Sequence, residues 1–422
     1  MTRPGHVLNV VLGGLFSLLI AAPSAAEPGR LVIVGGALDA RNAEIWGAFV
    51  DGLPHPATDR VAIVAAASGE PVASFESARA ALALHGVSPD RVVLVRAALI
   101  DDPATTDDES LWANGGDDPA MVAIVEGAGG IWFTGGDQAR TARVLFDAAG
   151  SSTPLLIALH RRLAEGAVIG GSSAGAAVQS ATMILRGDGL IALTRPMKSP
   201  GTDAEMEDGR LILGTGAGFF TDGIIDQHFD RQARLGRLSR AVTESPGDRF
   251  GYGIDENTAL VVDTATHTAT VRGVGTVTMI DDAQASRAEG PDFAVTGLRL
   301  SIAASGDRID LASGDVTPAA GRHGSPMADL APPSGDGAGV GPAYPARPLV
   351  DLLDQALIET NASALDRISL GDAGAAVRFR FEETDRTSAM SGRGSEPGAG
   401  LTLRDLRFSI IPVAVTVQDI RP

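Results

Sequence analysis

The chain contains no cysteine. That excludes disulfides, thiolate metal sites and a cysteine nucleophile. Lysine is almost missing as well: Lys198 stands alone, and arginine supplies all the other positive side chains. Basic residues are in deficit overall, 34 against 52 acidic ones, for a net charge of −18. A large nucleic-acid interface is not expected, because phosphate binding needs a basic face. There is no H-E-x-x-H motif and no pair of histidines at metal-ligand spacing, so neither a metal nor another cofactor is expected. Beyond residue 26 no run is apolar and long enough to cross a bilayer, which takes ~20 residues.

What remains is an ordinary globular composition, with 44% apolar and 20% charged residues over 422 positions. At ~150 residues per domain the length allows two or three. Residues 1–26 read as an export leader. Arg3 gives a positive start, Val10 to Ala22 is mostly apolar, and Pro23-Ser24-Ala25-Ala26 supplies small residues before a cleavage at Glu27. The expectation is a secreted or periplasmic protein with no stable membrane insertion once the leader is removed.

From residue 31 to about 285, short apolar runs alternate with helical stretches. Leu31 to Val34 ends in Gly35-Gly36, and Val61 to Val64 ends near Gly69. Arg91 to Val95 follows, then Ile131 to Phe133 before Thr134-Gly135-Gly136, and Ala167 to Ile169 before Gly170-Gly171. Continuous apolar strands bounded by glycine predict parallel strands buried on both faces. Residues 73–86 and 137–149 are long enough for crossover helices, and Asp118-Pro119 predicts an N-cap with proline at the first helical position. The fold class is α/β with a mostly parallel central sheet, whose chemistry gathers at the carboxyl ends of its strands.

Residues 258–263, 268–272 and 275–280 predict antiparallel strands that close the sheet edge or form a small β layer. The reading divides the chain into the leader, a main domain at 27–285, and a β extension at 286–312. A Gly/Pro-rich linker at 313–347, with 13 such residues in 35 positions, and a small C-terminal α+β region at 348–422 complete it. In that last region Leu349 to Thr360 has a helical period, and Val377, Phe379 and Phe381 alternate with Arg378 and Arg380.

Gly171-Ser172-Ser173-Ala174-Gly175 is a G-x-S-x-G sequence between an apolar strand and an Ala-rich run, Ala176 to Leu185, read as helix. This is the context of a nucleophile elbow, where a serine on a sharp turn faces the amides of a helix start. The alternative is a close-packed strand-to-helix turn without chemistry. A serine nucleophile needs a base. Of the six histidines after the leader, His55, His85, His160, His267 and His323 lie in loops, turns or near helix ends. His228 sits where the strand Ile224-Ile225-Asp226 ends and an Arg-rich helix begins. Thr134-Gly135-Gly136-Asp137-Gln138 is a second glycine-rich strand end, able to add oxyanion amides or to serve simply as a turn with Asp137 as N-cap.

Four segments appear in the order found in cyanophycinases. They are Phe133 to Gln138, Gly171 to Ala177, Asp226 to Phe229 with Arg234 to Leu238, and Gly253 to Ala259. Over about residues 30–285 the chain resembles that family, part of a serine-peptidase group that also holds aspartyl dipeptidases. The resemblance implies a three-layer sandwich like class I glutamine amidotransferases. It implies hydrolysis of cyanophycin, a polyaspartate bearing arginine on its side chains, to β-Asp-Arg dipeptides. It also implies Ser173 as nucleophile, His228 as base, Gly136 and Ala174 as oxyanion donors, and Gln138, Arg234 and Arg237 as substrate-binding residues. The partner is then a peptide or cyanophycin-like polymer, and a homodimer stays open.

The family's triad acid is expected shortly after the elbow helix. Asp188, in Arg186-Gly187-Asp188-Gly189, is the candidate by position, with Glu205, Glu207 or no carboxylate as alternatives. Cyanophycinases carry arginine four residues after the histidine, where this chain has Gln232. A dipeptidase for small Asp-containing peptides and a noncatalytic peptide binder of the same fold are the competing functions.

Overall fold

The computed structural model describes residues 29–201, 207–290, 292–322, 349–353, 363–371, 375–391 and 400–414. Residues 1–28 with the expected leader, most of the expected linker at 313–347, residues 354–360 of the expected C-terminal helix, Glu205 and His323 lie outside the described residues. Strand β1 (Arg30–Val34) shows why the first sheet needs two covers. Leu31 and Ile33 point into one apolar cluster and Val32 and Val34 into another, and all four are fully buried. Strands β2 (Arg60–Val64), β3 (Val92–Val95), β4 (Ala128–Phe133) and β5 (Val168–Ser172) join β1 in the parallel order β1-β5-β4-β2-β3. Helices α1 (Ala43–Val50) and α2 (Pro71–Leu84) bury Ile45, Phe49, Phe75 and Leu82 on one face. On the other face α3 (Pro119–Glu126), α4 (Gln138–Leu145) and α5 (Pro154–Ala164) bury Val125, Val144, Leu155 and Leu159. Asp118 caps α3 by accepting from Ala120 N, with Pro119 at the first helical position, as the sequence predicts.

The chain after the elbow departs from its expected helix. Helix α6 (Ala174–Ala177) is four residues long, and strand β6 (Thr182–Arg186) follows it. Tertiary partners overrule the alanine-rich propensity there: Ser180 Oγ accepts from Ile225 N, and Ala181 N donates to Phe220 O. Helix α7 (Ile191–Thr194) leads to β7 (Ile212–Thr215), which pairs with β6. Strand β8 (Ile224–Asp226), helix α8 (Leu235–Thr243) and strand β9 (Phe250–Ile254) then form a crossover with β8 parallel to β9.

Strands β10 (Thr258–Asp263) and β11 (Thr268–Gly273) close the first sheet against β1, as expected for its edge. Strand β12 (Thr276–Asp281) instead leaves for a second sheet, pairing with β9 and, through β13 (Ser286–Arg287) and β14 (Val295–Ala304), continuing it. Strands β15 (Arg308–Asp310) and β16 (Val316–Thr317) return to the first sheet.

The C-terminal region is not a free-standing appendage. After α9 (Leu349–Leu353), strands β17 (Ala364–Leu370), β18 (Ala375–Glu382), β19 (Ser388–Ser391) and β20 (Leu401–Ala414) extend the second sheet in the order β17-β18-β20-β14-β12-β9-β8. Phe379 and Phe381 stack on Phe408 at centroid distances of 6.1 and 4.9 Å. These rings share one buried cluster with Phe229, Leu235 and Leu238, which support the turn carrying His228 and the helix after it. Burying each such phenylalanine contributes roughly 1.5–3 kcal/mol, and the alternation at 377–381 serves that shared core. Among the described residues no helix is long and apolar enough to cross a membrane.

Candidate active site

Ser173 follows the last residue of β5 with φ 58° and ψ −115°, a backbone region that L-residues occupy only under constraint. Its N–H donates to Val34 O of the neighbouring strand at 3.0 Å, and its carbonyl accepts from Ala176 and Ala177 at the start of α6. Gly175 must lack a side chain here, since a Cβ would lie 2.3 Å from Phe133 O. The elbow, at the end of β5, is thus wedged between the carboxyl ends of β1 and β4. Gly135 abuts Ser173 from the end of β4. Among the described residues, no hydrogen bond engages the amides of Gly136 or Ala174.

His228 lies two residues beyond the end of β8 in a left-handed conformation, φ 45°, and its own N–H donates to Gly35 O at 2.5 Å. Its Nε2 lies 2.9 Å from Ser173 Oγ, and its Nδ1 lies 2.7 Å from Glu256 Oε1. The carboxylate can only accept, so Nδ1–H donates to Glu256, and Nε2 is left to accept from the serine hydroxyl. Gly36, with φ 109°, lets the β1 loop pass against the imidazole: a Cβ there would sit 2.3 Å from the ring.

Glu256 lies in the turn between β9 and β10, held on both sides. Asp255 before it accepts from Thr276 N at 2.9 Å and Thr276 Oγ1 at 2.8 Å, and burial pushes its carboxyl above the usual range. Asn257 after it donates from N to Gly36 O at 2.7 Å, while its Oδ1 accepts from Asp39 N and Asn42 Nδ2.

Asp188 does not occupy the triad position. Its Oδ1 accepts from Leu190 N at 2.9 Å and Ile191 N at 3.0 Å, which makes it the cap at the start of α7. Glu207 faces Arg186 at 3.4 Å. The carboxylate on His228 comes from 28 residues further along the chain. Gly253 to Ala259 stands out in the sequence, but spacing cannot assign it a role. The parallel pairing of Asp226 with Gly253 is what sets the end of β9 beside the histidine.

Ser173 and His228 open on a cleft of about 440 Å³, also lined by Gln138, Arg234 and Arg237. Gln138 Nε2 donates to both Ile184 O and Leu185 O at 2.9 Å, so its two amide protons are spent on the backbone. That leaves its side-chain oxygen, an acceptor, as the group able to meet a substrate. Arg237 is 5% exposed, and the carboxylate it grips belongs to the protein. Its Nε and Nη2 donate to Asp226 at 2.8 and 2.5 Å, and Nη1 donates to Gly187 O at 2.6 Å. Arg234 donates to Gln227 O at 2.5 Å, to Gln232 Oε1 and, at 3.5 Å, to the same Asp226. Burial, and then the neighbouring Arg237, pulls the Arg234 guanidinium down to about 10, which keeps it charged at neutral pH. Arg234 and Arg237 share the single carboxylate of Asp226, which leaves a local excess of positive charge there, while Asp188 and Glu207 line the same cleft. Asp137 caps α4 through Ala139 N and takes a two-pronged contact from Arg186 at 2.9 and 2.6 Å.

Arg237→Ala is expected to lower stability by about 3–5 kcal/mol in a urea titration, because it strips a buried carboxylate of its close partner. A loss under about 1 kcal/mol would mean that Arg234 alone compensates Asp226.

The remaining described histidines serve elsewhere. His55 is exposed in a loop where its backbone N–H donates to Asp59 Oδ2, His85 Nε2 meets Ala40 O, His160 Nε2 meets Ala217 O, and His267 pairs with Asp222.

The model of peptidase family S51 matches residues 31–270, a range that includes Ser173, His228 and Glu256. The cyanophycinase of Nostoc sp. is 34% identical over 213 residues, covering 49% of this chain and 64% of that protein. The cyanophycinase of Trichormus variabilis is 35% identical over 211 residues, covering 48% and 64%. The chain thus spans less than two thirds of the length of these curated relatives. Among solved structures, a peptidase from an acI-B1 Actinobacterium is 21% identical with a TM-score of 0.43, covering 60% of this chain and 91% of that one.

Proposed function

This chain belongs to peptidase family S51, and from that premise we propose that it is a serine-type peptidase that cleaves cyanophycin to β-Asp-Arg dipeptides. The observation that carries the proposal is the continuous path from Ser173 Oγ through His228, 2.9 Å away, to Glu256, a further 2.7 Å. Ser173 Oγ attacks the carbonyl carbon of the scissile amide while His228 Nε2 takes the hydroxyl proton. Glu256 fixes the imidazole tautomer and stabilises the imidazolium that forms. The amides of Gly136 and Ala174 stabilise the oxyanion. His228 then returns its proton to the departing amine, leaving an acyl ester on Ser173. Water, deprotonated by the same histidine, hydrolyses that ester.

The surplus positive charge around Arg234 and Arg237 suits the free carboxylate of an aspartyl unit, while Gln138 Oε1 suits one of its N–H groups. The proposal also takes the main domain as a three-layer sandwich like the class I glutamine amidotransferases. It takes residues 1–26 as an export leader, so that the enzyme meets polymer outside the cytoplasm. A dipeptidase acting on small Asp-containing peptides is the second reading. It is favoured by Gln232, which stands where cyanophycinases have arginine and accepts from Arg234.

The experiment is incubation of the purified protein with insoluble cyanophycin and mass spectrometry of the supernatant. Release of β-Asp-Arg is the expected result. Turnover of short Asp-peptides with no release from the polymer would move the assignment to a dipeptidase. A protein inert to both, and to a fluorophosphonate probe, would be a binder.

A further inference from the structure

We propose that Asp230 is a positioning residue, through which the C-terminal segment 349–414 holds the His228 turn in register with Ser173. The inference rests on the catalytic reading above. His228 is a non-glycine residue at φ 45°, and such a conformation persists only where its surroundings over-determine it. On its N-terminal side Gly35 O receives the His228 amide. On its C-terminal side the turn is closed by Gln232 N to His228 O and Arg234 N to Phe229 O, both at 3.0 Å.

Those bonds shape the turn, and His228 N to Gly35 O and Phe229 N to Ile254 O fasten it to the ends of β1 and β9; the tie to the C-terminal segment is added by Asp230. Its N–H donates to Asp255 Oδ1 at 3.3 Å, and Asp255 directly precedes Glu256. Its Oδ1 accepts from Leu349 N, the first amide of α9, at 2.6 Å. One residue therefore joins the histidine turn, the strand end that carries the acid, and the C-terminal segment. Leu349 and Leu353 are buried in the same apolar cluster as Phe229, Leu235 and Leu238, so α9 is anchored as well as bonded. Residues 349–414 lie beyond the 31–270 range of the family match. This fastening is supplied by a part of the chain that the family core does not include.

The test measures the rate at which a fluorophosphonate labels Ser173, together with kcat and KM, at a temperature well below each variant's melting point. Asp230→Ala is expected to label about tenfold more slowly, the scale of losing a hydrogen bond to a charged group, with KM unchanged. Asp230→Asn keeps an acceptor oxygen and should recover most of that rate. Leu349→Pro removes the donor N–H together with the buried side chain, while Leu349→Ala removes the side chain and keeps the N–H. The amount by which Leu349→Pro labels more slowly than Leu349→Ala should therefore match the loss in Asp230→Ala. If Asp230→Ala fails to fold, the proline and alanine variants at 349 carry the same comparison. Combining Asp230→Ala with Leu349→Pro should cost less than the sum of the two single changes, because the bond between the two residues is lost in both. Folded variants that melt earlier but label at the wild-type rate would overturn the role. A wild-type protein that does not label would overturn the catalytic reading itself, and the positioning role with it.

Discussion

Ser173→Ala is expected to yield a folded protein that binds peptide and turns over almost none of it. The side chain is small, and the elbow is held by backbone contacts: Ser173 N to Val34 O, and the amides of Ala176 and Ala177 to Ser173 O. None of these needs the hydroxyl. Removing a serine nucleophile costs ~10⁶ in kcat, because the remaining groups do not form the acyl ester. Circular dichroism and melting should match the parent, while dipeptide release falls to the level of the oxyanion amides alone. Near-parental turnover in this variant would sink the serine mechanism together with the assignment of the cleft.

Glu256→Gln is the second large effect, and it discriminates between two carboxylates. The imidazole of His228 donates from Nδ1 to Glu256 Oε1 at 2.7 Å. An amide in that place can turn its NH₂ toward Nδ1, favour the other tautomer, and leave Nε2 protonated and unable to accept from Ser173. A loss of up to ~10⁴ in kcat is expected, with the fold intact. Asp188→Asn should change kcat by less than about tenfold, since an asparagine oxygen can still cap α7 through Leu190 N and Ile191 N. The opposite ranking, with Asp188→Asn the more damaging, would return the acid to the position after the elbow.

Much of the arrangement is written in the sequence. Apolar runs that end in glycine announce parallel strands covered on both faces, because such strands have no polar side to show to water. The G-x-S-x-G turn is likewise a local signal. Strand, glycine, serine and glycine are contiguous, and the close approach of Gly175 to Phe133 O requires that spelling. His228 could be singled out because it sits at a strand end, between Asp226 and an Arg-rich helix. The capping of α3 by Asp118 ahead of Pro119 follows from adjacent residues alone.

The acid, the cleft chemistry and the place of the C-terminal strands were decided by tertiary structure. Glu256 meets His228 because β9 pairs in parallel with β8, and the chain between them carries no mark of that pairing. Asp188 has the plausible position but spends its oxygen on a helix start. Gln138 and Arg237 have the right side chains for a carboxylate. Yet Ile184 O, Leu185 O and Asp226 claim their donors, through contacts up to 47 residues distant. Residues 182–186 are strand because β7 lies beside them, whatever the alanines before them prefer. The alternating phenylalanines of β18 announce a half-buried strand, but only the packing of Phe379 and Phe381 on Phe408 shows that it shares its core with the site. Periodicity and turn chemistry are written in neighbouring residues. The partner of a buried charge or of a sheet edge is chosen by which distant segments folding brings together.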